Sequence, residues 1–343
     1  MSKKSVLPPF PNGWYNVSLS DDLKPGALKK MQFMGEEVVL FRTEKGKVHL
    51  IDAYCPHLGG HFGHGGEVIG EQIRCPFHGF CFDGEGVCVS TPYKEGKPPP
   101  TAIARTWPVR DINGFILAYH DADGHIPNWE IPVVGWDNWC PMIHTSLDIR
   151  SHPQETSENS VDLGHFDVVH GYHDVEVLSG LETEGPYLTA KYAMHRFANE
   201  WGQSKRTIRS EFKVHVHGLG YSFVEVYVPQ FELHFRTFVL STPVQEGRLT
   251  LTLAIRMKHV ERPSKVHPLL ALLPKALVHY ILPRASFRAY VHDVKQDFEI
   301  WENKAYVSPP ALAKGDGPVG RYRTWCKQFY PQKEQSYVES VAG

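Results

Sequence analysis

Between residues 13 and 120 the apolar positions fall in short runs separated by turn residues, a pattern of strands. Glu37–Arg42 and Lys47–Ile51 have β-rich compositions, with Glu44-Lys45-Gly46 as the hairpin turn between them. Gln72–Arg74, Phe80–Phe82 and Gly114–Tyr119 continue the series, and Pro98–Pro100 is a stiff surface connection. A stretch rich in Gly, Pro and Asp from Asp121 to Trp136 reads as a linker. The second half opens with a helical stretch from Gln154 to His170. Polar and apolar residues then alternate through Glu211–His217, Tyr221–Val228, Phe231–Leu240 and Arg248–Met257, which predicts an antiparallel sheet with one covered face. A final helix is predicted from Ser286 to Lys304. The pattern describes an α+β chain with a small β-domain over residues 1–130 and a larger domain over 131–343. No internal repeat is visible.

Composition narrows the function. At 343 residues the chain can hold two domains. Lys and Arg number 36 against 38 Asp and Glu, so there is no basic excess to bind nucleic acid. Met1–Pro9 lacks the apolar core and cleavage site of a signal peptide. The longest greasy run, Leu269–Leu282, is broken by Pro274, Lys275 and His279 and is too short to span a bilayer. It reads as a packed amphipathic helix or as a lid that admits a greasy substrate from a membrane surface. Six cysteines in so long a chain form no disulfide framework. Cys81, Cys88, Cys140 and Cys326 are expected as reduced thiols in a cytoplasmic protein.

The remaining two cysteines carry the chemistry. They stand in Cys55-Pro-His57-Leu-Gly-Gly60 and Cys75-Pro-Phe-His78-Gly-Phe80. Two thiolates can hold one iron of a 2Fe–2S cluster while two neutral imidazoles hold the other. That exchange removes negative charge and raises the reduction potential to roughly −150 to +300 mV. Zinc also takes two Cys and two His, but zinc fingers usually present both cysteines before both histidines. Here the order alternates, and the surrounding glycines suit loops that close tightly around a cluster.

A second metal motif lies in the helical stretch, Asp162-Leu-Gly-His165-Phe-Asp-Val-Val-His170-Gly171. Histidines five apart converge only where a helix ends or bulges, which Gly164 and Gly171 permit. Two imidazoles and one carboxylate leave open positions on one face of an iron(II) ion. Asp297 is the candidate for the carboxylate, with Asp293 and Glu299 as rivals.

Together these strings resemble the terminal oxygenase component of Rieske non-haem iron oxygenases, over nearly the whole chain. The resemblance implies a Rieske β-domain followed by an antiparallel-sheet catalytic domain of helix-grip type. It implies one 2Fe–2S cluster on Cys55, His57, Cys75 and His78. It also implies one mononuclear Fe(II) on His165, His170 and Asp297, with dioxygen as co-substrate. By the same resemblance Asp162 links His78 of one protomer to His165 of the next, in a head-to-tail homotrimer. Phe80 departs from the family, where many members have Trp after His-Gly. Respiratory Rieske proteins carry extra disulfide cysteines where Gly60 and Phe77 stand here, which points to the soluble branch. The Asp52–Gly60 stretch, Ile300–Lys304 and the Gly-Asp-Gly-Pro tail are similar to ketosteroid hydroxylases and cholesterol 7-desaturases. The expected function is therefore oxidation, by hydroxylation or desaturation, of a C–H bond in an apolar steroid or sterol.

Other readings stay beside it. The chain may be compared with an oxygenase for an aromatic or alkaloid-like ring, or with a bare electron carrier, which would need only the first domain. Gly315-Asp-Gly-Pro-Val-Gly320 matches a dinucleotide fingerprint, but no strand precedes it and too few residues follow. Electrons must then come from a separate NAD(P)H-dependent reductase, directly or through a ferredoxin. Most of the 20 histidines are expected to be ordinary, including His215, His217 and His234 in the strands and His61, His64, His152 and His173 near the motifs. Of Phe223, Tyr227, Phe231, Phe235 and Phe238, most are expected in the core and a minority along a substrate cavity.

Overall fold

The computed structural model describes residues 3–4, 7–94, 97–197 and 207–331. Their contacts divide the chain into two compact units that are not contiguous in sequence. One comprises Asn12–Val133 and Thr242–Gly247; the other comprises Met1–Pro11, Val134–Ser241 and Arg248–Gly343.

The first unit is built from short antiparallel strands. They are β1 (Gly13–Leu19), β2 (Leu28–Phe33), β3 (Glu36–Arg42), β4 (Val48–Asp52), β5 (Glu67–Ile69), β6 (Gln72–Arg74), β7 (Cys81–Phe82), β8 (Cys88–Ser90), β9 (Thr106–Trp107), β10 (Val109–Ile112) and β11 (Phe115–His120). They form three sheets, ordered β9-β4-β3-β2, β10-β11-β1 and β5-β6-β7-β8. The β3–β4 hairpin turns at Gly46, whose φ of +92° an L side chain rarely adopts. Val39, Phe41, Ile51, Phe62, Ile73, Phe80 and Phe82 make one buried cluster that also takes in Cys55 and Cys75. Packing thus anchors the two motif loops at their cysteines.

The second unit carries seven antiparallel strands: β12 (Ile143–Ile149), β13 (His173–Glu184), β14 (Tyr187–Phe197), β15 (Thr207–His217), β16 (Tyr221–Val228), β17 (Leu233–Gln245) and β18 (Arg248–Met257). The order across the sheet is β12-β18-β17-β16-β15-β14-β13. Strands β12 to β14 lie outside the runs read from the sequence. In β13 exposed positions interrupt the alternation: it buries only Leu181 fully, and its register against β14 shifts three times. β14 itself alternates at its start, with Leu188, Ala190 and Tyr192 buried and half-buried residues between them.

Helices are α1 (Pro153–Glu158), α2 (His165–Val168), α3 (Lys275–Lys295), α4 (Phe298–Asn303) and α5 (Val319–Cys326). The stretch read as one helix from Gln154 to His170 is two short ones with an irregular link. The final helix read as Ser286–Lys304 begins earlier, at Lys275, and breaks at Gln296–Asp297. Tyr290, Val291, Val294, Phe298 and Trp301 pack these helices on Ile149, Leu249, Leu251 and Leu253. On the other side of the unit α5 sets Tyr322, Trp325 and Cys326 against Leu188, Tyr192 and Val216. Among the described residues no helix is long and apolar enough to cross a membrane.

Candidate metal centres

In the first unit the two motif loops repeat one hydrogen-bond plan. Cys55 N donates to Gly60 O at 2.8 Å and Gly59 N to Cys55 O at 2.9 Å. Cys75 N donates to Phe80 O at 2.8 Å and Gly79 N to Cys75 O at 3.1 Å. Gly59 and Gly79 close their loops at φ of +73° and +70°. The loops face each other: the His57 and His78 rings lie 4.8 Å apart, and His57 stacks on Phe80 at 4.1 Å. Phe80 thus packs its ring against a motif histidine.

Both thiols are buried and free of any disulfide. Burial pushes the Cys55 thiol up to about 12, the backbone near His57 opposes this, and the neighbouring Cys75 adds to it. Two thiols that crowd each other in an apolar setting are what a cationic iron relieves, since a coordinated thiol is deprotonated outright. A Cβ at Gly60 would lie 2.9 Å from Cys75 Sγ, so the loop keeps that space clear. The donor set and this clearance fit a 2Fe–2S cluster.

The second unit brings together His165, His170 and Asp297, with ligand atoms all within 4.8 Å of one another. His165 opens α2, and His170 stands just past its end. Gly171, at φ +66°, ends it by donating to Asp167 O at 3.0 Å, an αL cap that leaves His170 at the terminus. Gly164 is helical instead, at φ −66°. Asp297 stands at the start of α4, where the break after α3 turns its buried carboxylate inward. His170 Nε2 lies 3.4 Å from Asp297 Oδ2.

Both Nδ1 atoms are occupied on the far side. His165 Nδ1 lies 2.7 Å from Asp162 O, and His170 Nδ1 lies 2.9 Å from Gln296 Oε1. Each imidazole therefore donates from Nδ1 and keeps its Nε2 lone pair for a metal. Burial lowers the His165 pKa, with His170 adding to it against the pull of Asp162 and Asp297. Burial works against the His170 proton too, but Asp297 and Gln296 outweigh it and the pKa rises. Two partly buried imidazoles and one buried carboxylate, with lone pairs facing one another, fit an iron(II) ion.

Sequence reasoning missed Gln296, because a glutamine beside an acidic ligand has no signature of its own. Its rivals for Asp297 are spoken for or turned away. Asp293 pairs with Arg196 at 2.8 Å, and Glu299 is exposed. Asp162 holds His165 through its carbonyl; its Oδ1 lies 3.9 Å from Nδ1 and accepts from Gly164 N and His165 N. The expected carboxylate–imidazole bond is thus a main-chain one. The Gly315–Gly320 string serves this segment structurally. Asp316 O accepts from Leu163 N at 3.2 Å, and a Cβ at Gly317 would meet Val161 O at 2.4 Å.

His165 and Asp297 also line a cavity with about 760 Å³ of empty space, its open mouth included. Its aromatic wall is Phe166, Tyr192, Phe212 and Trp301, joined by Val214, Leu219, Val224, Val239 and Val294. Among the described residues no Lys or Arg lines it. Phe223, Phe235 and Phe238 are buried in the core. His215, His217 and His234 stack on Phe223, Tyr187 and Tyr227.

Residues 13–108 match the Rieske [2Fe-2S] domain, and residues 118–330 match the 3-ketosteroid 9alpha-hydroxylase C-terminal domain. The chain is a Rieske non-haem iron oxygenase. It is 30% identical to "Cholesterol 7-desaturase nvd" of Xenopus laevis, over 95% of this chain and 73% of that protein. It is 30% identical to the "Probable 3-ketosteroid-9-alpha-monooxygenase, oxygenase component" of Rhodococcus rhodochrous, over 97% and 83%. The crystal structure of dicamba monooxygenase bound to dicamba shares the fold, with a TM-score of 0.66 at 18% identity over 97% of this chain and all of that one. As a Rieske oxygenase of the steroid branch, the chain carries a 2Fe–2S cluster and iron, and takes its electrons from a separate reductase.

Proposed function

We propose that the protein oxidises a C–H bond of a steroid or sterol, using dioxygen. The observation that carries this reading is the His165–His170–Asp297 cluster beside a largely apolar cavity that no Lys or Arg among the described residues lines. An acidic aromatic substrate would need a cationic side chain that the described lining residues do not supply. The two steroid-named relatives, each about a third identical to this chain, support the same substrate class.

In this reading Cys55, His57, Cys75 and His78 hold the cluster, and His165, His170 and Asp297 hold a mononuclear Fe(II). Bound there, the metals supply single-electron delivery and oxygen activation. The chain's own residues do the rest. Asp162 and Gln296 orient the two imidazoles, Val and Phe side chains exclude water, and the apolar walls align the substrate. The Asp162 side chain is 34% exposed. Leu58 and Phe77 stand 64% and 61% exposed beside His57 and His78, a surface suited to a partner chain. We assign these two features to a head-to-tail trimer in which Asp162 meets the partner's cluster histidine. The reductase is NAD(P)H-dependent and acts directly or through a ferredoxin.

The test is incubation of the metal-loaded protein and a surrogate reductase with sterols, 3-ketosteroids, aromatic acids and methylxanthines under labelled dioxygen, read by mass spectrometry. Steroid products alone support the reading. Turnover confined to the aromatic or alkaloid set overturns it.

A further inference from the structure

Residues 262–292 form a surface of unusual composition. A 3-10 turn over Pro268–Leu272 and the start of α3 hold Leu269, Leu272, Leu277, Tyr280 and Ile281 outward, at 64, 79, 40, 56 and 40% exposure. Single exposed leucines are normal, whereas a contiguous apolar patch marks an interaction site. The charge pattern around it is one-sided. From Arg262 to His292 there is no Asp or Glu, while Lys or Arg occupies 262, 265, 275, 284 and 288.

Arg262 and Lys265 share the single Glu232 carboxylate, and Lys275 lies 3.8 Å from Glu261 at the patch edge. Arg284 and Arg288 stay exposed, and the Arg284 guanidinium rests 3.6 Å over the Tyr280 ring. Leu277, Tyr280, Ile281, Arg284 and Arg288 follow the helical period and so share one stripe of α3. Apolar tips, one tyrosine and flanking cations are the composition of a segment that lies in a lipid interface.

We propose that this patch docks the protein on an anionic phospholipid surface. The leucines, Tyr280 and Ile281 enter the headgroup–acyl boundary, and Lys275, Arg284 and Arg288 meet lipid phosphates. Charge favours lipid over a second copy, because self-complementary pairing would set this basic stripe against its like. The far end of the same helix, at Val294, lines the cavity. A helix of 21 residues is about 30 Å long, so α3 runs from the docking patch to the site. The inference goes beyond the steroid reading and does not need it.

Flotation with phosphatidylcholine vesicles, and with vesicles carrying about 30% phosphatidylserine, tests it. Both vesicles are free of sterol, so the outcome is separate from substrate choice. Wild type is expected to float with the anionic vesicles and to lose binding at about 0.5 M salt. Leu269→Gln with Leu272→Gln should cut partitioning about tenfold or more while leaving the circular dichroism unchanged. Arg284→Glu with Arg288→Glu should erase the preference for phosphatidylserine. Wild type that stays with the protein fraction, or variants that float equally well, overturn the proposal. So does a leucine variant that changes only the subunit stoichiometry in sedimentation, which would make the patch a protein interface.

Discussion

Nδ1 of His170 and Oε1 of Gln296 lie 2.9 Å apart, and the residue after Gln296 places its carboxylate 3.4 Å from the opposite nitrogen of the same ring. One break between two helices therefore both fixes the His170 tautomer and brings Asp297 to the ring's other nitrogen. The amide oxygen can only accept, so the ring must donate from Nδ1 and present a lone pair at Nε2.

Gln296→Leu removes that acceptor without changing the ligand set. We expect a loss of about 10–100-fold in iron affinity at this centre, with the cluster intact. Chelator competition followed by iron analysis measures it, and undiminished affinity would remove Gln296 from the site.

Asp162→Ala keeps the main-chain carbonyl that holds His165 but deletes the exposed carboxylate. Both centres should stay loaded while turnover falls about 10–100-fold. Steady-state oxygen uptake with metal content measured alongside decides it. Wild-type turnover in the variant would contradict the assigned link between protomers.

Gly60→Ala places a methyl group 2.9 Å from Cys75 Sγ, closer than real contacts allow. The visible absorption of the cluster should be lost or strongly reduced, and iron should fall from roughly three to about one per chain. Full absorption at wild-type iron content would mean that the loop yields and that Gly60 guards nothing.

Arg323 bridges Glu158 with two short bonds, 2.6 and 2.9 Å, where both side chains are largely buried. Arg323→Ala leaves a buried carboxylate whose other cation, Lys304, is 3.7 Å away. The expected destabilisation is about 3 kcal/mol. Urea unfolding followed by tryptophan fluorescence reads it, and a midpoint unmoved from wild type would show the pair to be energetically idle.

Stability should fall with acid through two buried histidines. Burial holds His152 at about 4, opposed by its bond to Pro8 O, and burial with His215 nearby holds His217 at about 4. Both values lie below the ordinary 6.5. Between pH 6.5 and 4 the unfolded chain binds protons that the folded one refuses. Stability is thus full above about pH 6.5 and declines toward 4, by up to about 3 kcal/mol for each histidine. Urea midpoints at pH 7.5 and 5 should differ, and His152→Gln should narrow the gap; an unchanged gap rules out His152 as a contributor.

Residue types with a short-range chemical signature were readable before any fold. Cys55, His57, Cys75 and His78 declare themselves because soft and borderline ligands at close spacing are rare without a metal. His165 and His170 do so because one turn of chain holds both. Strands β15 to β18 are legible from the alternation of polar and apolar residue types, whereas β13 carries exposed positions and register shifts that blur that period.

The sequence by itself determined the ligand chemistry and the two-part plan, since both rest on local pattern. Only the tertiary structure decided how the second centre is completed. It selected Asp297 over Asp293 by breaking the helix at Gln296 and by giving Asp293 to Arg196. It also recruited Gln296, moved the His165 contact to a main-chain oxygen, and set Gly317 against the segment that bears Asp162. Those outcomes depend on which distant groups meet after packing, and no local periodicity encodes a meeting between residues separated by most of a domain.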